Sequence, residues 1–142
     1  MIIFYRPADG EERRFDVKSV RTSEAQIVER TTDMKWAAIK RGVRDDDPTA
    51  MRGIVWVLLK RETPTLRWSD FDPLIEELVS RFDGREVALV AEDIVKLPEA
   101  QREHAIAELT FYAADPAAVD VALEEAAAPP KEPATKTSPA GA

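Results

Sequence analysis

The chain has 142 residues, of which 44% are hydrophobic and 33% are charged, and it contains no cysteine. This length predicts one domain, and the lack of cysteine excludes disulfides, cysteine-based zinc sites and thiol catalysis. The longest apolar run, residues 54–59, is far shorter than the roughly 18 residues that a membrane-spanning helix needs. The first residues lack the basic segment and cleavage site of a secretory signal, so neither a membrane nor export is expected.

The net charge of -7 is concentrated in the second half of the chain. Residues 1–68 hold 14 Lys and Arg against 11 Asp and Glu, whereas residues 69–142 hold 6 against 16. Binding of nucleic acid needs basic side chains that neutralise phosphates, so no nucleic-acid partner is expected. The acidic half favours a solubilising role or a docking surface for a basic partner.

Residues 1–21 predict a β-hairpin. Residues 2–5 are aliphatic or aromatic β-formers, residues 7–10 have the composition of a turn, and Phe15 and Val17 alternate with polar neighbours. An isolated hairpin is only marginally stable, so we expect it to pack on the rest of the protein.

Residues 22–126 predict a helical domain, so the fold class is mainly α with a small N-terminal hairpin (α+β), in a compact bundle of about four to six helices. The first helical stretch begins with Ser23 and Gln26 at capping-box spacing. It is interrupted by polar residues 31–33, and Gly42 is the expected C-terminal stop.

The clearest predicted helix begins at Asp47, a good N-cap, with Pro48 at the first helical position, and ends by Thr63. Apolar residues recur at helical spacing at Met51, Ile54, Val55, Leu58 and Leu59. Trp56 and Val57 widen this apolar arc beyond one stripe. The helix is therefore either central to the fold or carries a binding surface.

A third helix is predicted from Asp72 and Pro73 by the same logic of cap and proline, with Gly84 as its end. Its apolar face would consist of Leu74, Ile75, Leu78, Val79 and Phe82. Residues 86–96 fit a helical stripe and also a strand, and helix is the preferred interpretation.

Two more helices are predicted near the C-terminus. One follows Pro98, and the other is capped by Asp115 and Pro116. Residues 127–142 contain mainly Ala, Pro, Lys, Thr and Ser without an apolar pattern, so they are predicted to form a disordered tail.

No residue pattern indicates catalysis, a metal or a cofactor. His104 is the only histidine, and the serines lack a Gly-x-Ser-x-Gly elbow. The consecutive aspartates 45–47 would point in different directions, unlike calcium ligands, so a capping role is preferred. The five glycines are too dispersed for a phosphate-binding loop. We therefore expect no enzyme, and His104 is interpreted as a solvated helical side chain.

The tryptophans are the most informative side chains. Trp36, Trp56 and Trp68 all lie in the middle third of the chain. Indoles in such a cluster form a core or anchor a partner, and core packing is the commoner role. Together with the wide apolar helix, they define the predicted partner-binding residues: Trp36, Met51, Val55, Trp56, Leu59 and Trp68.

The middle of the chain also carries a family resemblance. Residues 31–36 read TTDMKW, an Asp-Pro cap follows, residues 55–66 read VWVLLKRETPTL, and residues 68–72 read WSDFD. This pattern resembles the tail assembly chaperones of long-tailed (siphovirus-type) bacteriophages, especially those of actinobacteria. The resemblance covers about residues 22–76. Asp33 and Lys35 depart from the Gly and Thr that are common at those places in the family.

The resemblance implies a chaperone that binds and solubilises the tape measure protein and helps to recruit tail tube subunits. Such a protein acts in the host bacterial cytoplasm, self-association is a further expectation, and it is not retained in the mature virion. The family commonly makes a second, longer product by ribosomal frameshifting near the end of the gene. The alternative is a virion structural protein, such as a head–tail connector or a minor tail protein.

Overall fold

The computed structural model describes residues 1–130, which form six α-helices and one three-stranded antiparallel sheet. The strands are β1 (Ile2–Tyr5), β2 (Arg13–Asp16) and β3 (Leu78–Arg81). The helices are α1 (Thr22–Thr32), α2 (Trp36–Arg44), α3 (Pro48–Leu59), α4 (Gly84–Ile94), α5 (Glu99–Tyr112) and α6 (Ala117–Ala127). The mainly α fold class with a small N-terminal sheet is confirmed. The predicted tail lies outside the described residues from residue 131 onward.

The predicted N-terminal hairpin is confirmed, and a third strand completes its sheet. The strand order is β2-β1-β3, with Ile3 opposite Phe15 on one side and opposite Ser80 on the other. Ile3 and Phe15 are buried beneath the helices. The hairpin therefore gains its stability from packing, as expected for a unit that is marginal alone.

The predicted third helix at residues 72–82 is wrong. This segment forms a short 3-10 turn at Ile75–Glu77 and then β3. Pairing with β1 satisfies the second edge of that strand and buries Leu78 and Ser80 at alternate positions, whereas a helix over the same residues would leave that edge of β1 unpaired. Gly84 does not end a helix but begins α4, whose N-cap is Asp83: its Oδ1 accepts a hydrogen bond from the Glu86 amide at 2.9 Å.

The outer edge of β3 is closed by other parts of the chain. Asp46 Oδ1 accepts hydrogen bonds from the Ser80 hydroxyl at 2.7 Å and from the Ser80 amide at 3.3 Å. Beyond the strand, the Phe82 amide donates to Tyr112 O at 2.7 Å, and the Phe82 carbonyl accepts from the Ala114 amide at 2.9 Å. These contacts tie the sheet to the end of α5.

The helical stretch before residue 45 is broken where the sequence predicted. Asp33 ends α1 in the left-handed conformation, with φ of 56°. The predicted cap at Ser23 is wrong, because the N-cap is Arg21, two residues earlier, whose amide donates a hydrogen bond to Glu24 at 2.8 Å. Gly42 does not end α2, because its role is close packing: a Cβ there would lie 2.9 Å from the Ala50 Cβ.

The central helix is α3, and its predicted start is confirmed. Asp47 Oδ1 accepts a hydrogen bond from the Ala50 amide at 2.9 Å, and Pro48 is the first helical residue. Most of its side chains are buried, because α1, α2 and the sheet all pack around it. The wide apolar arc is thus explained by a position at the centre of the fold.

The buried side chains form two clusters. The first joins the sheet to α1, α2 and α3, and the second joins α4, α5 and α6. All three C-terminal helices lie where helices were predicted, including helix rather than strand at residues 86–96. The predicted cap at Asp115 is wrong, because the N-cap of α6 is Pro116 and no side chain caps it. The division into domains 1–21, 22–126 and 127–142 stays a prediction, although β3 joins the sheet from within the second of these ranges.

Candidate partner-binding surfaces

Three of the predicted partner-binding residues are part of the core. Met51, Val55 and Trp56 belong to the first cluster, and even the large indole of Trp56 is only 5% exposed. They offer no surface to a partner in this conformation, because neighbouring helices and the loop after α3 cover them. Their prediction as surface anchors does not agree with this burial.

The other three predicted residues lie at the edge of the same cluster. Trp36, Leu59 and Trp68 are half-buried and pack against it. Trp36 differs from the other two in lining a groove on the protein surface. Among the predicted tryptophans, Trp36 is therefore the one that lies beside a groove.

Trp56 holds the loop that follows α3. Its Nε1 donates a hydrogen bond to Leu66 O at 3.1 Å, and its ring meets that of Trp68 edge-on, with 5.4 Å between ring centroids. Lys60 supports the same loop by donating from Nζ to Pro64 O and Leu66 O at 3.2 Å. The Trp and Lys of the VWVLLK segment thus have a structural role in positioning the loop.

Arg52 completes this arrangement and was missed by the sequence reasoning. Its guanidinium lies 3.8 Å from the centroid of the Trp68 ring. Its Nε donates to Phe71 O at 2.6 Å and its Nη2 donates to Trp68 O at 2.8 Å. The available signal was a single basic residue four positions before Trp56 in an otherwise apolar helix.

A cleft of about 530 Å³, here called the central cleft, lies between the two core clusters. One wall is apolar and comes from α4 and α5, through Val90, Ile94, Ala105 and Leu109. The opposite wall is polar and comes from the end of α2, the turn before α3 and β3, with Arg44, Asp46 and Arg81. The cleft can therefore accept an amphipathic segment, with its apolar side on α4 and α5.

An exposed aromatic pair lies beside the central cleft. Phe111 is 64% exposed, and its ring meets that of Tyr112 edge-on at 5.0 Å between centroids. Tyr112 lines the cleft, and the Arg81 guanidinium lies 5.2 Å from the Phe111 centroid. Exposed aromatic side chains next to an apolar cleft are typical of interaction sites.

A second concavity, here called the basic groove, has a volume of about 440 Å³ and lies between α2 and α4. Its apolar lining includes Val17, Val20, Trp36 and Leu89, and its basic lining consists of Lys18, Lys40, Arg44 and Arg85. Arg44 and Met1 line the central cleft as well.

Asp83 forms an ion pair with Lys18, one of the basic residues that line the groove. Burial alone would raise the pKa of Asp83, but hydrogen bonds from Lys18, the Glu86 amide and the Met1 amine outweigh it, so the pKa lies well below its ordinary value. The Lys18 Nζ is 2.7 Å from Asp83 Oδ2, and the Met1 amine is 2.9 Å from the same oxygen. The Met1 amine also contacts Glu86.

His104 and Asp47 line neither of these concavities, whereas Asp45 and Asp46 line the central cleft. His104 is exposed on α5, as predicted, and Asp47 caps α3 as the preferred interpretation required. Within residues 1–130 no group of three His, Asp or Glu side chains is arranged to hold a metal ion. In the same part of the chain, no helix is long and apolar enough to cross a bilayer.

Neither protein-family models, nor curated protein sequences, nor solved structures gave a match to this chain.

Proposed function

We propose that this protein is a tail assembly chaperone of a long-tailed bacteriophage. In this role it binds and solubilises the tape measure protein during tail morphogenesis and helps to recruit tail tube subunits. The resemblance over residues 22–76 supports the class of protein. It would act in the cytoplasm of the host bacterium and leave before the virion is complete.

The observation that carries the binding role is the central cleft with its exposed aromatic pair. A tape measure protein is long and helical, with apolar faces that aggregate when unpartnered. One such helix would place its apolar face against the half-buried Val90 and Ala105 and contact the exposed Phe111 and Tyr112 at the edge. Each large apolar side chain buried contributes about 1.5–3 kcal/mol, so single contacts are weak and many copies act together along the partner.

The charge distribution supports solubilisation. Residues 83–130, which include α4, α5 and α6, hold 3 Lys and Arg against 11 Asp and Glu. A complex coated with this part of the chain carries a high negative charge, which opposes association between complexes. Release would follow when polymerising tube subunits compete for the tape measure protein. Competition of this kind needs no nucleotide.

Co-expression with the tape measure protein tests the proposal. We expect the tape measure protein to move from the insoluble to the soluble fraction in the presence of this chain. The double variant F111A/Y112A should lower the soluble amount several-fold, because it removes the aromatic edge of the cleft. The matched control is L74A/I75A, which removes two exposed apolar side chains that do not line the cleft and should keep full solubilisation.

Three results would contradict the proposal. The first is precipitation of the tape measure protein to the same extent with and without this chain. An equal loss of soluble tape measure protein in the two double variants would show that general surface hydrophobicity, and not the cleft, causes the effect. Detection of the protein in purified virions by mass spectrometry would favour the alternative, a connector or minor tail protein.

A longer frameshifted product is part of the same proposal. The codons for residues 129–131, Pro-Pro-Lys, can form a slippery heptamer of the form C-CCA-AAR. The coding DNA is expected to contain such a heptamer near its end, where the family resemblance places the frameshift. Its absence throughout that stretch would remove the frameshift from the proposal.

A further inference from the structure

The basic groove is lined by one stripe of side chains from each of its two helices. On α2, Trp36, Lys40 and Arg44 follow one another at intervals of four residues, and Arg85 and Leu89 have the same spacing on α4. Side chains four residues apart lie on the same face of a helix. The groove is therefore built from two helical faces that combine positive charge with apolar surface.

The chain itself does not neutralise this positive charge. Lys40, Arg44 and Arg85 are exposed and form no ion pair within residues 1–130. The fourth basic residue of the groove, Lys18, is already ion-paired. So is Glu86, the one carboxylate among the described residues that line the groove. A ligand that fits this groove must therefore bring negative charge of its own.

Arg85 differs in this respect from the other basic residues of the acidic C-terminal helices. Residues 83–130 contain three basic side chains, Arg85, Lys96 and Arg102. Lys96 lies 3.6 Å from Asp93, and Arg102 donates from Nε to Leu97 O at 2.8 Å. Within residues 1–130 Arg85 has no ion pair of this kind, and it is the one that lines the groove. The most acidic part of the chain thus contributes a cation at this place.

The floor of the groove supplies an apolar contact. Leu89 is 54% exposed on the α4 side, and the half-buried Trp36 lines the α2 side. Val17 and Val20, both half-buried, belong to the same lining. An apolar side chain of a ligand would cover these surfaces while carboxylates beside it reach the basic rim.

We propose that the basic groove binds an acidic segment of a different protein, in which an aliphatic or aromatic side chain is flanked by carboxylates. The apolar side chain contacts Trp36 and Leu89, and the carboxylates pair with Lys40, Arg44 and Arg85. The stripe on α2 extends over about 12 Å at about 1.5 Å per residue, so about two helical turns of the segment fit. A groove with apolar and charged walls is a common receptor for a short amphipathic helix.

This inference does not rest on the proposed function, because the groove and the central cleft are separate surfaces. Phe111 and Tyr112 do not line the groove. The variant F111A/Y112A, which should lose solubilisation of the tape measure protein, should therefore bind an acidic peptide as the unmodified chain does. The peptide assay contains no tape measure protein, so each proposal fails or succeeds by its own measurement.

Fluorescence anisotropy with a defined probe tests the proposal. The probe is a fluorescein-labelled peptide of about 14 residues, nearly four helical turns, with two Leu residues four positions apart among Glu and Ala. We expect saturable binding to the full chain. The association constant should fall at least tenfold between about 0.1 M and about 1 M salt, because the screening length falls from about 10 Å to about 3 Å.

Two altered peptides separate the contributions of charge and apolar contact. Replacement of every Glu by Gln should weaken binding at least tenfold, and replacement of both Leu by Ala should weaken it several-fold. Equal binding of the Gln peptide, or no half-saturation of the original peptide at about 1 mM chain, would overturn the proposal.

Charge reversal locates the site on the protein. The variant K40E/R85E should bind the acidic peptide at least tenfold more weakly, because like charges then face each other. Arg44 is left unchanged because it also lines the central cleft. The matched control R30E/R41E reverses two exposed basic side chains that do not line the groove, and it should bind as the unmodified chain does. Equal loss in the two variants would overturn the assignment to the groove.

The apolar floor has its own pair of variants. Leu89→Ala should weaken peptide binding several-fold. Val121→Ala is the matched control, since Val121 is a similarly exposed helical side chain, at 55%, that does not line the groove. Circular dichroism shows that each variant is folded. Unchanged binding by a folded Leu89→Ala protein would contradict the apolar contact.

Two other occupants of the groove are tested in parallel. A single-stranded oligonucleotide of equal charge that binds as tightly as the peptide, and is lost in K40E/R85E, would show a general polyanion site. Sedimentation velocity without peptide would assign the groove to a second copy of this chain if it shows self-association that K40E/R85E abolishes. Either result would overturn the proposal.

Discussion

The close approach of α1 to α3 depends on Gly53, and the variant Gly53→Ala tests it. In an exposed helix interior, replacing Gly by Ala stabilises a protein by about 1 kcal/mol. Here a Cβ on residue 53 would lie 2.8 Å from Val28 Cγ1 and 3.2 Å from Thr32 Cγ2. Ordinary carbon contacts are about 3.5–4.0 Å, so the new methyl group and Val28 would overlap.

The size of the effect follows from what Val28 can do. Its side chain is fully buried, so it cannot move aside without displacing other core residues. Overpacking of this kind costs about 1–3 kcal/mol. After subtraction of the gain in helix propensity, we expect a net loss of about 1 kcal/mol, which corresponds to a fall in Tm of about 3–6 °C for a chain of this size.

Gly84→Ala is the matched control, because no atom lies within 4 Å of a Cβ built on Gly84. It should be unchanged or more stable by about 0.5 kcal/mol. Urea unfolding is followed by circular dichroism and by tryptophan fluorescence, since the three tryptophans report only on the first cluster. A Gly53→Ala protein as stable as the Gly84→Ala protein would refute the packing argument.

Two further predictions concern buried polar contacts. Trp56→Phe removes the donor to Leu66 O and should lower the free energy of unfolding by about 2 kcal/mol, measured by urea denaturation, and an unchanged midpoint would contradict the role given to the indole. Asp83→Asn keeps the N-cap but removes the charge that binds Lys18 and the Met1 amine, so it should cost about 2 kcal/mol at pH 7. Because the pKa of Asp83 is lowered in the folded state from its ordinary value of 3.8, its contribution is complete above that value and is lost as the pH falls toward the folded pKa. Unfolding curves of the two proteins should therefore converge in acid, and a gap that stays constant down to pH 2 would contradict this cause.

Elements with local signals were predictable from the sequence. Asp47 and Pro48 mark the start of α3 through a cap and a restricted φ angle, both of which act within one turn. The apolar spacing of α4 and α5 is equally local. No distant contact is needed to recognise these helices, and their positions agree with prediction.

Residues 72–82 show where local patterns fail. Their apolar spacing fits a helix, yet Leu78–Arg81 pairs with β1, more than 70 residues earlier in the chain. Helix or strand is decided here by an available strand edge and not by the segment itself. An alternating pattern that covers only Leu78–Arg81 is too short, in the sequence, to outweigh the helical spacing of the apolar residues around it.

The candidate surfaces depend still more on distant contacts. The role of Trp56 is set by the loop that covers it, which no spacing within α3 reveals. The basic groove joins residues 17–20 to α2 and to the start of α4, and the central cleft joins the turn before α3 to α5. Only the charge imbalance between the two halves was visible in the sequence.

The position of β1 at the middle of the sheet has a consequence for synthesis of the chain. The hairpin forms from the first 16 residues, but one edge of β1 remains open until residues 78–81 have been translated. At about 5–20 residues per second, several seconds pass before the last strand can close that edge. A nascent or truncated chain that ends before residue 78 exposes an unpaired strand, which is a template for aggregation.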